Sequence, residues 1–130
     1  MQPAPHHRIR IARPTRDMDA AVRFWRDGVG LPVQGRKSGE ETGHELAFIG
    51  WPDAAWHLEL VADPDLPITP TDEDLLVVYV AEPLADETID RIVAAGGVRV
   101  RSRNAYWDDR GVTFVDPDGY RLVLTERSWG

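Results

Sequence analysis

The chain has 130 residues, enough for one compact domain or for two half-size modules that share a core. Its net charge of −7 argues against a general nucleic-acid binder, since such proteins need a basic face to neutralise phosphates. The absence of cysteine excludes disulfides, thiol nucleophiles and cysteine-ligated zinc. No apolar run approaches the roughly 20 residues of a membrane span, and the first residues hold no apolar signal core, so we expect a cytoplasmic protein.

The beginning of the chain has the pattern of a strand followed by an amphipathic helix. Residues 8–14 alternate charged and aliphatic side chains, which is the period of a half-buried strand. Thr15 or Asp17 can cap the helix that follows, and Gly28 and Gly30 are placed to end it. The apolar stripe of this helix recurs at helical spacing and consists of Met18, Ala21, Val22 and Trp25.

The next segments predict a short strand, a loop and a hairpin. A second strand is expected at residues 33–36, and the charged, glycine-bearing residues 37–43 predict a mobile loop or a hairpin tip. Strands at 45–49 and 56–62 follow, with a Pro-Asp turn between them. Residues 63–74 are rich in Pro, Asp and Thr and are therefore predicted to be a linker.

The second half of the chain begins with another strand and helix. Residues 75–80 are apolar with little alternation, which predicts a strand buried on both faces. Pro83 and Asp86 favour a helix start, and the glycines at 96–97 favour its end. The predicted apolar stripe of this helix consists of Ala85, Ile89, Ile92 and Val93. A further strand is expected at 98–101, where valines alternate with arginines.

An internal repeat organises these elements. Residues 111–126 have the pattern of a strand, a tight Asp-Pro-Asp-Gly turn and a second strand, and residues 45–61 repeat that pattern around a Pro-Asp turn. Matching the two turns places Glu59 of the first copy over Val123 of the second. The element order is therefore βαβββ, a linker and βαβββ again.

The repeat predicts an α+β fold built of two βαβββ modules. We expect one domain over residues 1–130, with module one at 8–62, the linker at 63–74 and module two at 75–126. Each module sets one helix against a short, curled mixed sheet and cannot cover both sheet faces alone. Pairing of the modules, or of two chains, would leave a concave cavity, so we expect a homodimer that binds a small molecule.

This pattern resembles the vicinal oxygen chelate superfamily, which includes glyoxalase I, extradiol dioxygenases and the bleomycin- and fosfomycin-resistance proteins. The resemblance rests on the Phe-Trp pair at 24–25 with the Gly-Val-Gly-Leu helix exit at 28–31, on the hairpin at 111–124, and on the repeat itself. These features occur in order over nearly the whole chain. The resemblance implies the paired βαβββ fold with a ligand cavity between sheets.

The resemblance also implies a site for a divalent metal, held by one side chain from the first strand and one from the last strand of each module. Carried over by position, Glu59 is the one ligand that this chain retains. The other positions hold Val123, Leu75 and either Arg10 or Arg8, none of which can coordinate a metal. The metal site is therefore expected to be degenerate.

The charge of Glu59 leads to a hypothesis about what replaces the metal. An ionised carboxylate that faces a cavity needs a partner, and Arg10, or Arg8, is at the partner position of the same module. A guanidinium paired with Glu59 could occupy the space of the metal and hold an anionic or carbonyl-bearing ligand. The alternative, of about equal weight, is a salt bridge that only fixes the sheet.

Four further residues are candidates for ligand contacts. Tyr79 and Arg121 lie on the module-two wall of the implied cavity, where a largely apolar surface suits a small aromatic or amphipathic compound. Tyr106 and Trp107 are adjacent aromatics in a loop and are expected to stack on a ligand or to pack in a dimer contact. For each of these side chains the alternative is ordinary packing.

The patterns favour metal-independent binding of a small molecule, in the manner of glyoxalase/bleomycin-resistance-like proteins that sequester drugs. No cofactor is predicted. A divalent metal belongs to the alternative, a metal-dependent lyase, isomerase or dioxygenase that uses His57, Glu59 and a substrate oxygen. A structural or regulatory domain without cavity chemistry is the third possibility, and neither nucleic acid nor a membrane is an expected partner.

Overall fold

Two four-stranded sheets form the frame of the computed structural model, which describes residues 1–130. The first sheet contains β1 (Ile9–Pro14), β2 (Val33–Lys37), β3 (Glu45–Ile49) and β4 (Trp56–Ala62). The second sheet contains β5 (Leu75–Tyr79), β6 (Val98–Val100), β7 (Gly111–Val115) and β8 (Arg121–Thr125). The strand orders correspond, β1-β4-β3-β2 and β5-β8-β7-β6, and the first and last strands of each sheet's βαβββ unit run parallel. The predicted α+β fold with a βαβββ repeat is confirmed.

The helix of the first module begins as α1 (Met18–Val22) and continues as a π-helical segment (Arg23–Val29). Asp17 caps its start, since the carboxylate accepts a hydrogen bond from an amide of the first turn at 3.1 Å. At its end the Gly30 amide donates to the Trp25 carbonyl, five residues earlier, which is the π-helical spacing. The apolar stripe predicted an α-helix throughout, because four apolar residues are too few to distinguish α-helical from π-helical spacing.

The element α2 (Gly39–Thr42) is a single helical turn at the tip of the β2–β3 hairpin, within the residues 37–43 for which the sequence predicted a mobile loop or a hairpin tip. The predicted hairpin tip is confirmed, since β2 and β3 pair antiparallel on either side of it. The helical turn within the tip was not predicted, and a backbone hydrogen bond closes it, with the Gly43 amide donating to the Gly39 carbonyl at 2.8 Å. Charge and glycine content do not reveal that bond.

The helix of the second module, α3 (Asp86–Ala94), packs against the π-helical segment of the first. Gly28 permits the close approach, since a Cβ at that position would lie 3.0 Å from the Cβ of Ala95. Arg91 reinforces the contact, because its Nε donates to the Gly28 carbonyl at 2.9 Å. This helix crossing joins the two modules.

The buried face of α3 is narrower than the predicted stripe. Ile92 is fully buried and Ile89 is half-buried, whereas Val93 is 47% exposed and Ala85 is exposed. Placing Ala85 and Val93 on the apolar face was wrong. Ala85 is the N-cap residue and precedes the first helical turn, and Val93, next to the fully buried Ile92, lies on the solvent side of α3.

The strand β5 is an edge strand and is half-buried along its whole length. The sequence predicted burial on both faces, which is wrong for a single chain. β5 pairs only with β8, so one of its edges and part of each face stay uncovered.

One hydrophobic core lies between the helices and the sheets and takes residues from both modules. Its largest fully buried side chains include Trp25, Phe24, Phe114, Leu31, Ile49, Leu58, Ile92 and Leu122. Since strand residues alternate between faces, the other face of the first sheet carries polar and charged side chains, among them His57 and Glu59. No helix in the chain combines the length and the apolar character needed to cross a membrane.

Candidate functional site

The parallel pairing of β1 with β4 brings the first group of predicted site residues together. Arg10 and His57 are register partners across the two strands. His57 and Glu59 share the sheet face turned away from the buried Leu58, because successive strand residues alternate between faces. Arg8 contacts the same face from just ahead of β1. We name these four residues, Arg8, Arg10, His57 and Glu59, the arginine–histidine cluster.

Arg10 and Glu59 form an ion pair, with Nη1 of Arg10 2.9 Å from Oε2 of Glu59. The Glu59 side chain is 12% exposed and that of Arg10 is 53% exposed, so the carboxylate is covered while the guanidinium keeps an open side. The guanidinium carbon of Arg10 also lies 5.0 Å from the centre of the Phe48 ring, a cation–π distance. Arg10 is therefore held across the sheet with hydrogens left for a further acceptor.

His57 lies between the two arginines. Its Nδ1 is 3.0 Å from Nε of Arg8, and its Nε2 is 3.0 Å from Nε of Arg10. Both arginine atoms are N–H donors, whereas a neutral imidazole carries a hydrogen on one ring nitrogen and accepts only at the other. In either tautomer one arginine N–H therefore lacks an acceptor at His57. An anion bound beside the ring would supply it.

The arginine–histidine cluster carries an excess of positive charge. Burial lowers the pKa of His57 below its ordinary value of 6.5, and the charges of Arg8 and Arg10 lower it further, while Glu59 acts in the opposite direction. With His57 neutral, the cluster holds two guanidinium groups and one carboxylate, which pairs with Arg10. The cluster is therefore suited to an anion and not to a cation.

The four metal-ligand positions implied by the family resemblance do not provide a donor set for a divalent metal. Glu59 supplies one carboxylate, which Arg10 already neutralises, and Leu75 and Val123 have no donor atom. No three His, Cys, Asp or Glu side chains lie together in a way that could hold a metal ion. These residues therefore do not fit the divalent metal that the family resemblance implies.

The second group of predicted site residues lies on the second sheet and in the loop before β7. Trp107 packs edge-to-face with Tyr79 and with Tyr106, with ring centres 6.3 Å and 5.0 Å apart. Trp129, near the C-terminus, contacts Tyr79 at 5.4 Å. We name Tyr79, Tyr106, Trp107 and Trp129 the aromatic cluster. Trp129 is 82% and Tyr106 is 49% exposed, so part of the cluster faces solvent.

Arg121 is bound by protein partners. Its Nη2 lies 3.0 Å from Oδ1 of Asp72, and its Nη1 donates to the Arg101 carbonyl at 3.4 Å. The sheet face beside it is covered, because Val123 and Thr113 are fully buried. Arg121 therefore offers less of its guanidinium to a ligand than Arg10 does.

The structure thus divides the predicted site residues into two groups on two sheets, and no ion pair, hydrogen bond or ring contact joins them. Sequence reasoning missed Phe48 and Trp129. Phe48 on β3 is the register partner of Glu59. Aligning the two strands of the predicted hairpin could therefore have placed Phe48 beside the site. Trp129 carries no local signal, because its contact with Tyr79 joins residues 50 positions apart.

Two family descriptions match the chain in order, one to each half. The YycE-like N-terminal domain matches residues 9–61, and the YycE-like C-terminal domain matches residues 73–126. The uncharacterized protein YycE of Bacillus subtilis (strain 168) is 37% identical over 120 residues, which cover 89% of this chain and 85% of that protein.

Solved structures of three proteins show the same architecture. The crystal structure of a YycE protein of unknown function from Bacillus subtilis superposes with a TM-score of 0.80 at 36% identity, covering 96% of this chain and 92% of that one. TnmS3, an antibiotic binding protein from a Streptomyces species, gives a TM-score of 0.68 at 23% identity, covering 98% and 100%. A variant of the fosfomycin resistance protein FosX from Listeria monocytogenes, complexed with Mn(II) and a dihydroxypropylphosphonic acid, gives 0.68 at 16% identity, covering 98% and 95%. With both halves matched, this chain belongs to the YycE-like family and has the vicinal oxygen chelate fold.

Proposed function

We propose that this protein binds a small organic anion at the arginine–histidine cluster without a metal. The observation that carries the proposal is the position of His57 between the Nε atoms of Arg8 and Arg10, both at 3.0 Å. One of these donors lacks an acceptor in every neutral tautomer of the ring. A carboxylate, phosphonate or phosphate group would accept from both guanidinium groups with charge-assisted hydrogen bonds.

We propose further that the ligand carries an aromatic ring and that a homodimer encloses it. In one chain the arginine–histidine cluster is open to solvent on its outer side, and the aromatic cluster lies on the other sheet. A second copy that lays its aromatic cluster over the arginine–histidine cluster would set Tyr79, Tyr106 and Trp107, and at the rim Arg121, around one ligand. Related folds support this class of ligand, since TnmS3 is described as an antibiotic binding protein and FosX was crystallised with a phosphonic acid.

Calorimetric titration with phenylphosphonate, and with neutral benzamide as the matched probe, tests the proposal. We expect saturable binding of phenylphosphonate and a loss of about tenfold or more in affinity for Arg8→Gln and for Arg10→Gln, since each removes a charged donor. Arg26→Gln is the control, because Arg26 is an exposed arginine that pairs only with its neighbour Asp27. Equal binding of benzamide, or equal losses in all three variants, would contradict the proposal.

Titration with divalent metals in the same calorimeter separates the metal-independent proposal from the metal-dependent alternative. Titration with Mn²⁺, Ni²⁺ and Zn²⁺ should give no stoichiometric tight binding, since Glu59 is engaged by Arg10. Tight binding that Glu59→Gln abolishes would overturn the proposal and favour a lyase, isomerase or dioxygenase. Absence of binding by both the phosphonate and the metals would favour a structural domain.

A further inference from the structure

A separate cavity of about 240 Å³ lies between the two modules on the core side of the sheets. Trp56 of β4 lines it, while the next residue, His57, belongs to the arginine–histidine cluster. Adjacent residues of a strand point to opposite faces, so the first sheet separates this cavity from the proposed anion site. We name it the inter-module cavity.

The walls of the inter-module cavity are apolar and partly aromatic. Eleven of its fourteen lining residues are hydrophobic, with Trp25, Trp51 and Trp56 on the module-one side and Leu76 and Val78 of β5 on the other. Trp25 is 1% exposed and forms the inner end, whereas Trp51 is 41% exposed and lies at the mouth. The rings of Trp51 and Trp56 are nearly perpendicular at 80°, with centres 6.3 Å apart, which is an edge-to-face arrangement.

The volume of the cavity limits what it can hold. A sealed apolar cavity of about 150 Å³ admits benzene. The inter-module cavity, at about 240 Å³, has room for one further fused ring. An apolar wall without an occupant also forfeits dispersion contacts, which favours a ligand that fills the space.

One charged residue, Glu82, lines the cavity. It is exposed and forms no salt bridge, whereas the carboxylates of Glu59 and Glu45 are both paired with arginines. Thr88 is the other residue with a polar side chain at this site. A ligand that places an ammonium group beside Glu82 would find an unpaired negative charge, and tryptophan rings are also favourable partners for cations.

We propose that the inter-module cavity is a second binding site, which takes a planar aromatic amine of one or two fused rings. The ring system lies between Trp56 and Val78, and the ammonium group faces Glu82. This proposal goes beyond the anion site, because the charge preference is reversed and the two sites lie on opposite faces of the first sheet.

Calorimetric titration of the full chain with tryptamine, indole and indole-3-acetate tests this site. These probes share one ring system and differ in charge. We expect tryptamine to bind once per chain and several-fold more tightly than indole, with a difference of about tenfold corresponding to one well-placed charge contact. Glu82→Gln should remove the preference for tryptamine, and Glu87→Gln, at an exposed α3 residue that does not line the cavity, should keep it. Absence of saturable binding by tryptamine, or a preference that survives Glu82→Gln, overturns the proposal.

Filling the cavity provides an independent test. Val78→Phe should weaken tryptamine binding by about tenfold or more, because the added ring occupies the ligand's space, and should leave phenylphosphonate binding unchanged. If circular dichroism shows that Val78→Phe is unfolded, Leu84→Trp fills the cavity from a half-buried position instead. Wild-type tryptamine affinity in a folded, filled variant overturns the proposal. The proposal is also overturned if light scattering shows that the filled variant has changed from dimer to monomer, since a second copy of the chain would then be the occupant of the cavity.

Discussion

Asp116 is a residue whose ionisation the fold changes strongly. Its side chain is 8% exposed, and burial raises its pKa from 3.8 to about 6, although its hydrogen bonds and the charge of Arg13 act in the opposite direction. The carboxylate accepts from the amides of Asp118 and Tyr120, both at 2.9 Å. Asp116 thus holds the tight turn of the second hairpin, but burying its carboxylate in the ionised form lowers the stability of the fold.

The destabilisation by the buried charge of Asp116 predicts a pH-dependent effect of Asp116→Asn on stability. The folded pKa of Asp116 lies above the unfolded value, so its contribution is fully present below pH 3.8 and is lost as the pH rises through about 6. Asparagine keeps the accepting oxygen without the charge. We therefore expect the free energy of unfolding of the wild type to fall by up to about 3 kcal/mol relative to that of Asp116→Asn between about pH 4 and pH 7.

Urea unfolding across this pH range measures the difference between the two proteins. Asp65→Asn is the control, because Asp65 is exposed and its carboxylate forms no hydrogen bond or ion pair within the chain. Parallel pH profiles for the wild type and Asp116→Asn would contradict the prediction.

His57 contributes with the opposite sign. Its folded pKa is lowered, so its contribution is fully present above pH 6.5 and is lost as the pH falls below that value. The wild-type profile therefore combines two opposed trends. The comparison with Asp116→Asn separates them, because both proteins retain His57.

At the scale of elements, the contact between the π-helical segment and α3 decides how closely the modules pack. Gly28 is buried in this contact, where an added Cβ would also lie 3.3 Å from the Cα of Ile92. Neither neighbour is the free end of a flexible side chain, so an added methyl group must push the helices apart.

We predict that Gly28→Ala destabilises the protein by about 1–3 kcal/mol, the usual cost of overpacking. Alanine favours helices more than glycine does, so a purely local effect would have the opposite sign. Gly39→Ala in α2 is the matched control, because its Cβ would meet other atoms only at ordinary contact distances of 3.7 Å or more. Denaturant unfolding of the three proteins would contradict the prediction if Gly28→Ala matched or exceeded the wild type.

At the scale of the whole molecule, both first strands are open edges. β1 and β5 each have one uncovered edge, and β1 exposes Ile9 at 59% and Ile11 at 38%. An open edge with apolar side chains is a site for pairing with another chain. This observation supports the proposed homodimer.

We predict that light scattering gives twice the mass of one chain and that Ile9→Asp shifts the protein toward the monomer. Ile9 is exposed in one chain, so circular dichroism should show that the variant stays folded. Val98→Asp is the control, because Val98 is 60% exposed on β6, at the other side of the second sheet. A monomeric wild type, or equal dissociation by both variants, would contradict the homodimer.

The sequence by itself determined the order of the elements and most of their bounds. The strands predicted at 45–49 and 56–62 are β3 and β4 with those limits, because alternation and turn residues act over a few positions. The same alternation placed Glu59 on a face with His57, and the repeat revealed the double βαβββ order. The family resemblance, which rested on this order, is confirmed as well.

Only the tertiary structure decided which of these residues meet. The position of His57 between Arg8 and Arg10 depends on the parallel pairing of strands that are far apart in sequence. The half-burial of β5, the contact of Trp129 with Tyr79 and the inter-module cavity likewise arise where distant segments pack. Periodicity reports the environment of one segment, and it carries no information on which other segment supplies that environment.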